Sequence, residues 1–263
     1  MSLPSKLSSE KICAELKKLC SDIPLYFFEE CDSTNIRAAE IQKSGEPQNF
    51  LAIAASQSAG RGRFERKWLD EAGKSICLSA MLNVSQINPN RLGCFGILAG
   101  IEICRALREY CSADLKLKWP NDIYWNDKKL AGMIASLNVN VAGEKSLLFG
   151  IGVNFATIDA REGVECAALS ECAAKRIEIN ECAAIVGFAA FKTLTRLSAE
   201  EPADIPREFS EIDYLFGKQV SVNCAGKILR GKAEGVDAEG RLILRAGDEI
   251  LLAGAGESSI LKE

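Results

Sequence analysis

The apolar rhythm of this chain changes near Phe216, and that change divides what it can fold into. Before it, helix-spaced and strand-like segments alternate. Residues 9–20 place Ile12, Leu16 and Leu19 at helical spacing, and residues 25–30 read as an aromatic-rich strand. Asp32, Ser33 and Thr34 offer N-cap side chains to a helix ending near Ser44. Residues 51–56 and 75–82 read as strands around a Gly- and Arg-rich loop. Residues 92–107 fit a long buried helix, broken in its apolar run by Glu102 and Arg105. Four more strands are predicted at 115–119, 123–125, 130–139 and 147–153, with Asn126-Asp127 as a hairpin turn. Helices over 181–198 and 205–215 follow. Beyond Phe216, short apolar runs at 220–222, 228–229, 242–244 and 250–252 alternate with Gly and charge. Eight of the 21 glycines fall in the last 47 residues, which reads as a small all-β barrel or sandwich. The chain of 263 residues thus reads as a helical segment over 1–24, a catalytic-sized domain over 25–215 and a small domain over 216–263.

Chemistry is limited by a zero: the chain has no histidine. That excludes Ser-His-Asp and Cys-His nucleophilic systems as usually built, His-containing zinc sites, and any imidazole acting near neutral pH. Eleven cysteines include no C-x-x-C pair, and their number is odd. They read as small buried residues of a reduced, cytoplasmic protein rather than a disulfide framework. The net charge of −4 gives no general pull toward nucleic acid or membrane. The N-terminus lacks the apolar core of a signal peptide, and no segment approaches the roughly 20 apolar residues of a membrane helix.

Four segments can carry chemistry. Gln57 to Trp68 (QSAGRGRFERKW) holds four cations and one anion between Arg61 and Lys67. Its glycines let backbone approach a ligand, and its arginines suit phosphate or carboxylate oxygens. Alone, it also reads as a solvated basic loop. Lys116 to Asp122 (KLKWPND) presents Asn121 and Asp122 at a strand end, suited to ribose or Mg²⁺ or to an ordinary turn. Lys128 to Ile134 places a lysine just before a buried strand, pointing inward or solvated at an edge. Phe149 to Asn154 (FGIGVN) is a glycine-punctuated strand that admits a close ligand or tight packing.

Taken in order, Asp-Ser-Thr-Asn (32–35), Q-x-A-G-R-G-R-x-x-R-x-W (57–68), K-W-P-N-D (118–122), K-L-A-G (129–132) and G-I-G-x-N (150–154) closely resemble the biotin–protein ligases. The resemblance runs from about residue 26 to the C-terminus. It implies an α+β fold of the class II synthetase-like biotinyl/lipoyl ligase type. That fold is a mixed β-sheet flanked by helices with a small C-terminal SH3-like β-barrel. It implies ATP and biotin as substrates, Mg²⁺, and transfer of biotin through biotinyl-5′-AMP to a lysine of a biotin carboxyl carrier protein. By motif, Ser33, Thr34, Asn35, Gln57 and Gly132 look like biotin-pocket residues, and Arg61, Gly62 and Arg63 like the loop over biotin and adenylate. Lys129 looks like the lysine beside the carboxylate and α-phosphate, catalytic with Arg61 and Arg63. Arg66, Trp68, Asn121, Asp122 and Asn154 look like nucleotide-side residues, with Asp122 the candidate for Mg²⁺.

Two departures accompany the resemblance. Glu65 stands where the family often has Gly before the third loop arginine. Only about 24 residues precede the first strand, too few for the DNA-binding winged helix of many bacterial members, so a repressor role is not expected. Nucleic acid and membrane are not expected partners, and a homodimer is left open. The rival of similar fold is a lipoate or octanoate–protein ligase, whose motif contains a His that this chain lacks. The rival of another class is a non-catalytic nucleic-acid-binding regulator, supported by the 61–67 cations and opposed by the net charge.

Overall fold

The computed structural model describes residues 6–45, 48–68, 70–111, 114–139, 143–157, 165–256 and 258–261. The Glu65 side chain lies outside this set. The larger domain contains α1 (Ser9–Lys18), β1 (Leu25–Phe28), α2 (Thr34–Lys43), β2 (Phe50–Ala54), β3 (Ser75–Asn83), α3 (Pro89–Leu92), α4 (Phe95–Arg108) and β4 (Lys116–Lys118). It continues with β5 (Asp122–Trp125), β6 (Lys128–Val139), β7 (Lys145–Asn154), α5 (Leu169–Cys172), α6 (Ile179–Ser198) and α7 (Ile205–Ser210). The C-terminal part adds β8 (Gln219–Cys224), β9 (Lys227–Val236), β10 (Leu242–Ala246), β11 (Glu249–Ala253) and β12 (Ser258–Ile260).

Seven strands form one sheet in the order β1-β2-β3-β7-β6-β5-β4. β1 and β2 run parallel and the other neighbours antiparallel, so the sheet is mixed as expected. Period-2 alternation sorts its faces. Ile76, Leu78, Ala80 and Leu82 of β3 enter the main core, where α4 and α6 pack. Met81, on the opposite face, joins Ala38, Phe50, Ala52 and Leu148 in a thin layer under α2. The β5–β6 turn places Asn126 and Asp127 at φ 46° and 60°, the left-handed pair that a two-residue hairpin requires.

Glu102, which breaks the apolar run of α4, is 3% exposed. Its carboxylate meets Arg196 at 2.6 Å, Lys192 at 2.8 Å and Arg105 at 3.3 Å. Arg196 and Arg105 also reach Glu208 at 2.5 and 2.7 Å, so one charge network ties α4, α6 and α7 together. Burial pushes the Glu102 pKa up, but Lys192 and Arg196 outweigh it and hold the carboxyl below the ordinary range.

Two expectations change on folding. The helix expected over 205–215 stops at Ser210, because residues 212–214 cover the edge of β4 instead. Leu117 N donates to Ile212 O and Tyr214 N to Leu117 O. The C-terminal strands form an open sheet, β11-β10-β9-β8-β12, rather than a closed barrel. Among the described residues β11 and β12 do not pair. Carbonyls of Ala255, Gly256 and Ser258 between and within these edges are turned toward the larger domain. The small sheet is anchored by Trp119, 1% exposed, whose indole donates to Gly240 O at 3.0 Å.

Replacing Glu102 by Gln is expected to lower stability by roughly 2–3 kcal/mol at pH 7, less than for a fully buried pair because its cations reach water. A carboxyl held low contributes stability above its ordinary pKa that is lost as pH falls. The difference between the two proteins in urea denaturation should therefore shrink below about pH 4.

Candidate active site

Three glycines in the middle of β6 and β7 shape the site. Gly132 and Gly152 face each other across the two strands, and Gly150 lies opposite Ile134. A Cβ on Gly152 would stand 2.3 Å from the Trp68 ring, and one on Gly132 would stand 3.2 Å from it. A Cβ on Gly150 would stand 2.5 Å from Asn35 Oδ1. The glycines make room for two protein side chains laid on the sheet, the indole from the loop and the amide from α2. The glycine-punctuated strand thus first admits Trp68 and Asn35, which in turn line the cavity.

The loop that carries Trp68 is a small hairpin. Gly62 N donates to Arg66 O, and Trp68 N to Gly60 O. At its tip Phe64 is 53% exposed and sits at φ 55°, ψ 43°, a left-handed conformation costing roughly 1–2 kcal/mol. Arg63 turns inward. Its Nη1 donates to Asn121 Oδ1 at 3.1 Å, and its Nη2 reaches the carbonyls of Ala255, Gly256 and Ser258 at 2.8–3.0 Å. Burial lowers the guanidinium pKa from a value so high that the cation persists.

A neutral polar network forms around Gly150. Ser33 and Thr34, at the start of α2, are buried. Ser33 takes the N-cap position but caps nothing with its side chain; Gln57 Oε1 instead accepts from Thr34 N at 2.7 Å. The Ser79 hydroxyl lies 2.7 Å from Asn35 Oδ1 and 2.8 Å from Thr34 Oγ1. With one proton, Ser79 donates to the Asn35 oxygen and accepts from the Thr34 hydroxyl. Ser79 is missed by motif reasoning, since nothing in its β3 surroundings marks it; its signal is a polar residue inside an otherwise apolar strand.

Charge gathers near Gly132. Lys129 Nζ stands 2.8 Å from Asp122 Oδ1, with both side chains 22% exposed. The same ammonium lies 5.8 Å from the Trp68 ring centroid. Asn121 brackets this end: Nδ2 donates to Met133 O while Oδ1 receives Arg63. Asn154 is 1% exposed and donates to Lys129 O and Ala167 O, fixing the backbone of the lysine from behind.

These groups enclose a cavity of about 60 Å³. Of the expected site residues, Ser33, Thr34, Asn35, Gln57, Arg61, Gly62, Arg63, Trp68, Asn121, Lys129 and Gly132 line it. Arg66, Asp122 and Asn154 do not: Arg66 is exposed, Asp122 pairs with Lys129 and Asn154 lies behind it. A wider cavity of about 510 Å³ shares Ser33, Asn35, Arg61, Gly62 and Ile134 with it and adds Ile36, Ala39, Glu40, Lys43, Phe64 and Leu148. Among the described residues no three His, Cys, Asp or Glu converge as a metal centre. Asp122 is a single carboxylate.

Comparison with known proteins now bears on this geometry. Residues 27–154 match the biotin/lipoate A/B protein ligase family, and residues 215–258 match the biotin protein ligase C terminal domain. The chain belongs to this family. It is 30% identical to the bifunctional ligase/repressor BirA of Escherichia coli over 81% of this chain and 66% of that protein. It is 30% identical to the protein of the same name from Bacillus subtilis over 57% of this chain and 46% of that protein. The chain therefore spans between about half and two thirds of these relatives. A biotin protein ligase from Aquifex aeolicus, solved in complex with biotin and ATP, superposes with a TM-score of 0.78 at 24% identity. The match covers 91% of this chain and 99% of that one, so the family fold extends across both domains.

Gly152→Ala is expected to unseat the indole, since the added methyl has no space beneath the ring. Near-ultraviolet circular dichroism should lose the Trp68 contribution and tryptophan emission should shift to the red. Unchanged spectra would mean that the ring does not need this glycine.

Proposed function

We propose that the protein activates biotin with ATP and transfers it to a lysine of a biotin carboxyl carrier protein. The observation that carries this reading is the order of chemistry along β7. Neutral hydroxyl and amide groups surround Gly150, and cations gather two residues further on, beside Gly132 and Gly152. Two residues of strand span about 7 Å. A ligand with an uncharged hydrogen-bonding head and a carboxylate tail fits that order, and biotin, with its ureido ring and valerate, has that form.

The reaction asks two anions to meet. The biotin carboxylate attacks the α-phosphorus of ATP, the bond to the β-phosphate oxygen breaks, and pyrophosphate leaves. No general base is needed, which suits a chain without histidine. Lys129, Arg61 and Arg63 offset the approaching negative charge and stabilise the phosphorus transition state. Asn154 and Asn121 hold Lys129 and Arg63 in place through backbone and side-chain contacts. In the second step the carrier amine attacks the mixed anhydride, AMP leaves, and the amine proton is released; positioning supplies most of the catalysis.

Mg²⁺ fits at Asp122, because this ion is commonly held by one or two carboxylates with phosphate oxygens completing its shell. Bound there, it would neutralise phosphate charge. The 60–68 loop must lift before substrates enter, since a cavity of about 60 Å³ is far below the 300 Å³ or more of a typical ligand site. The wider neighbouring cavity is the natural approach for biotin and for the carrier lysine. Among the described residues no helix is long and apolar enough to cross a membrane. Operation in the cytoplasm, without nucleic acid and with a homodimer open to it, completes the reading.

The family also takes lipoate, and the site discriminates against it. A dithiolane ring makes no hydrogen bonds of ureido strength, so Ser33, Thr34, Asn35 and Gln57 would lose water without replacement. Incubation with ATP and Mg²⁺ should yield the adenylate of biotin and not of lipoate by mass spectrometry. Adenylate from lipoate alone would overturn the assignment. Lys129→Ala and Arg63→Ala should each slow biotin-dependent pyrophosphate exchange by roughly 100-fold or more, the scale of one lost transition-state contact. Ser79→Ala should raise the KM for biotin about tenfold with little change in kcat, since the buried hydroxyl holds Asn35 and Thr34 in position for a neutral ground-state contact.

A further inference from the structure

The mechanism uses no thiol; six of the eleven cysteines are buried, Cys77 at the cavity wall and the other five in the main core. Two of them do more than pack. Cys111 Sγ and Cys172 Sγ stand 3.3 Å apart, at 9% and 3% exposure. Their proximity is enforced by backbone rather than by sulfur. Cys111 follows α4 and pairs with Ala173 in an antiparallel bridge. Ala174 N and Lys175 N both donate to Tyr110 O, at 2.8 and 3.2 Å. Cys111 N in turn donates to Leu107 O at 3.1 Å. The two thiols therefore stay together through any local motion that keeps this register. Closing the gap to an S–S bond of about 2.05 Å requires little more than 1 Å of movement.

We propose that Cys111 and Cys172 form a redox-active dithiol, a modification site at which a hydroperoxide converts the pair to a disulfide. Cys111 sulfur, as thiolate, attacks a peroxide oxygen; the O–O bond breaks, and the departing oxygen takes up the thiol proton as water or alcohol. Cys111 is left as a sulfenic acid. Cys172 sulfur attacks it, the S–O bond breaks, and water leaves with the Cys172 proton. The pair loses two electrons and two protons, and the hydroperoxide is reduced. The hydrogen bond between the thiols favours this order, lowering the pKa of Cys111 and raising that of Cys172.

The pair sits at the far end of a segment that braces the site. Lys129 N donates to Glu165 O, Ala167 N donates to Lys129 O, and Asn154 Nδ2 donates to Ala167 O. Cys172 lies five residues beyond Ala167. Drawing α5 toward the end of α4 pulls on the strand of chain that fixes the lysine backbone. Displacements of about 1 Å at a catalytic group slow reactions by up to 100-fold. The oxidised protein should therefore lose threefold or more in biotin-dependent pyrophosphate exchange and regain it with dithiothreitol.

The test treats the full chain with one equivalent of hydrogen peroxide, alkylates the remaining thiols and maps the peptides. A linkage between Cys111 and Cys172, with a mass loss of about 2 Da, is expected. Cys172→Ala and Cys172→Ser should abolish the linkage and leave a dimedone-reactive Cys111. Two freely alkylated thiols at 111 and 172 while exposed Cys20 is oxidised would overturn the proposal, as would a linkage to another cysteine. The exchange arm rests on the ligase reading. No exchange in reduced protein counts against that reading and leaves the mapping to decide the dithiol. A 111–172 linkage with exchange unchanged would overturn the coupling to Lys129 alone.

Discussion

The register between β6 and β7 is the constraint on which the site depends. Gly132 meets Gly152 in that register, and the Trp68 indole lies on the bare backbone they leave. Side chains alternate along a strand, so a slip of one residue would bring Val153 or Ile151 beneath the ring. Nothing in the glycines themselves prevents the slip. The opposite face does, because Phe149, Ile151 and Val153 are committed to the core against α4 and α6. Packing on one side of the sheet thus sets the floor of the site on the other.

Both principal cations of the site are held by groups that an anionic ligand can replace. Lys129 rests on Asp122, and Arg63 rests on carbonyls of the small domain and on Asn121. A carbonyl carries only a partial charge, so a phosphate or carboxylate competes well for the guanidinium. The contacts also make the small domain part of the site: its Ala255, Gly256 and Ser258 carbonyls fix the tip of the loop whose base carries Trp68. Trp119 and Gly240 supply the rigid junction that gives those carbonyls a stable position. A chain without imidazole has placed its site chemistry in fixed charge and in a movable loop.

Much of this was legible in the sequence, for identifiable reasons. Strands were readable where β-branched and aromatic residues ran between turn residues, and Asn126-Asp127 named its own turn. The motif order pointed to the residues that line the cavity because those residues need particular side chains at particular backbone positions. What escaped depends on contacts distant in sequence. Ser33 looks like a cap, yet Gln57 supplies the bond, reaching Thr34 N from 23 residues away. Ser79 and Glu102 look like interruptions of apolar runs until the partners from α2 and α6 arrive. Asn154 sits in a ligand-like motif but braces a backbone. The expected barrel stays open because carbonyls between its two edge strands are engaged across the domain junction. The cysteines, read together as packing residues, include one exposed thiol and one close pair.

The narrowness of the cavity follows from the same contacts. Trp68 fills the slot above the glycines, so the indole takes the space that the bare backbone leaves. The loop that carries it is held by a few backbone bonds, by Arg63, and by the fit of one ring. Its tip residue Phe64 is exposed and left-handed, so the tip adds strain without adding burial. Segments with little apolar contact and exposed hydrogen bonds open at a small fraction of global stability. The loop is tied to the rest of the protein through few side chains, whereas the glycine floor is backed by the main core. The division places Lys129 on the sheet, backed by the core, and Arg63 on the loop, held by hydrogen bonds to Asn121 and the small domain.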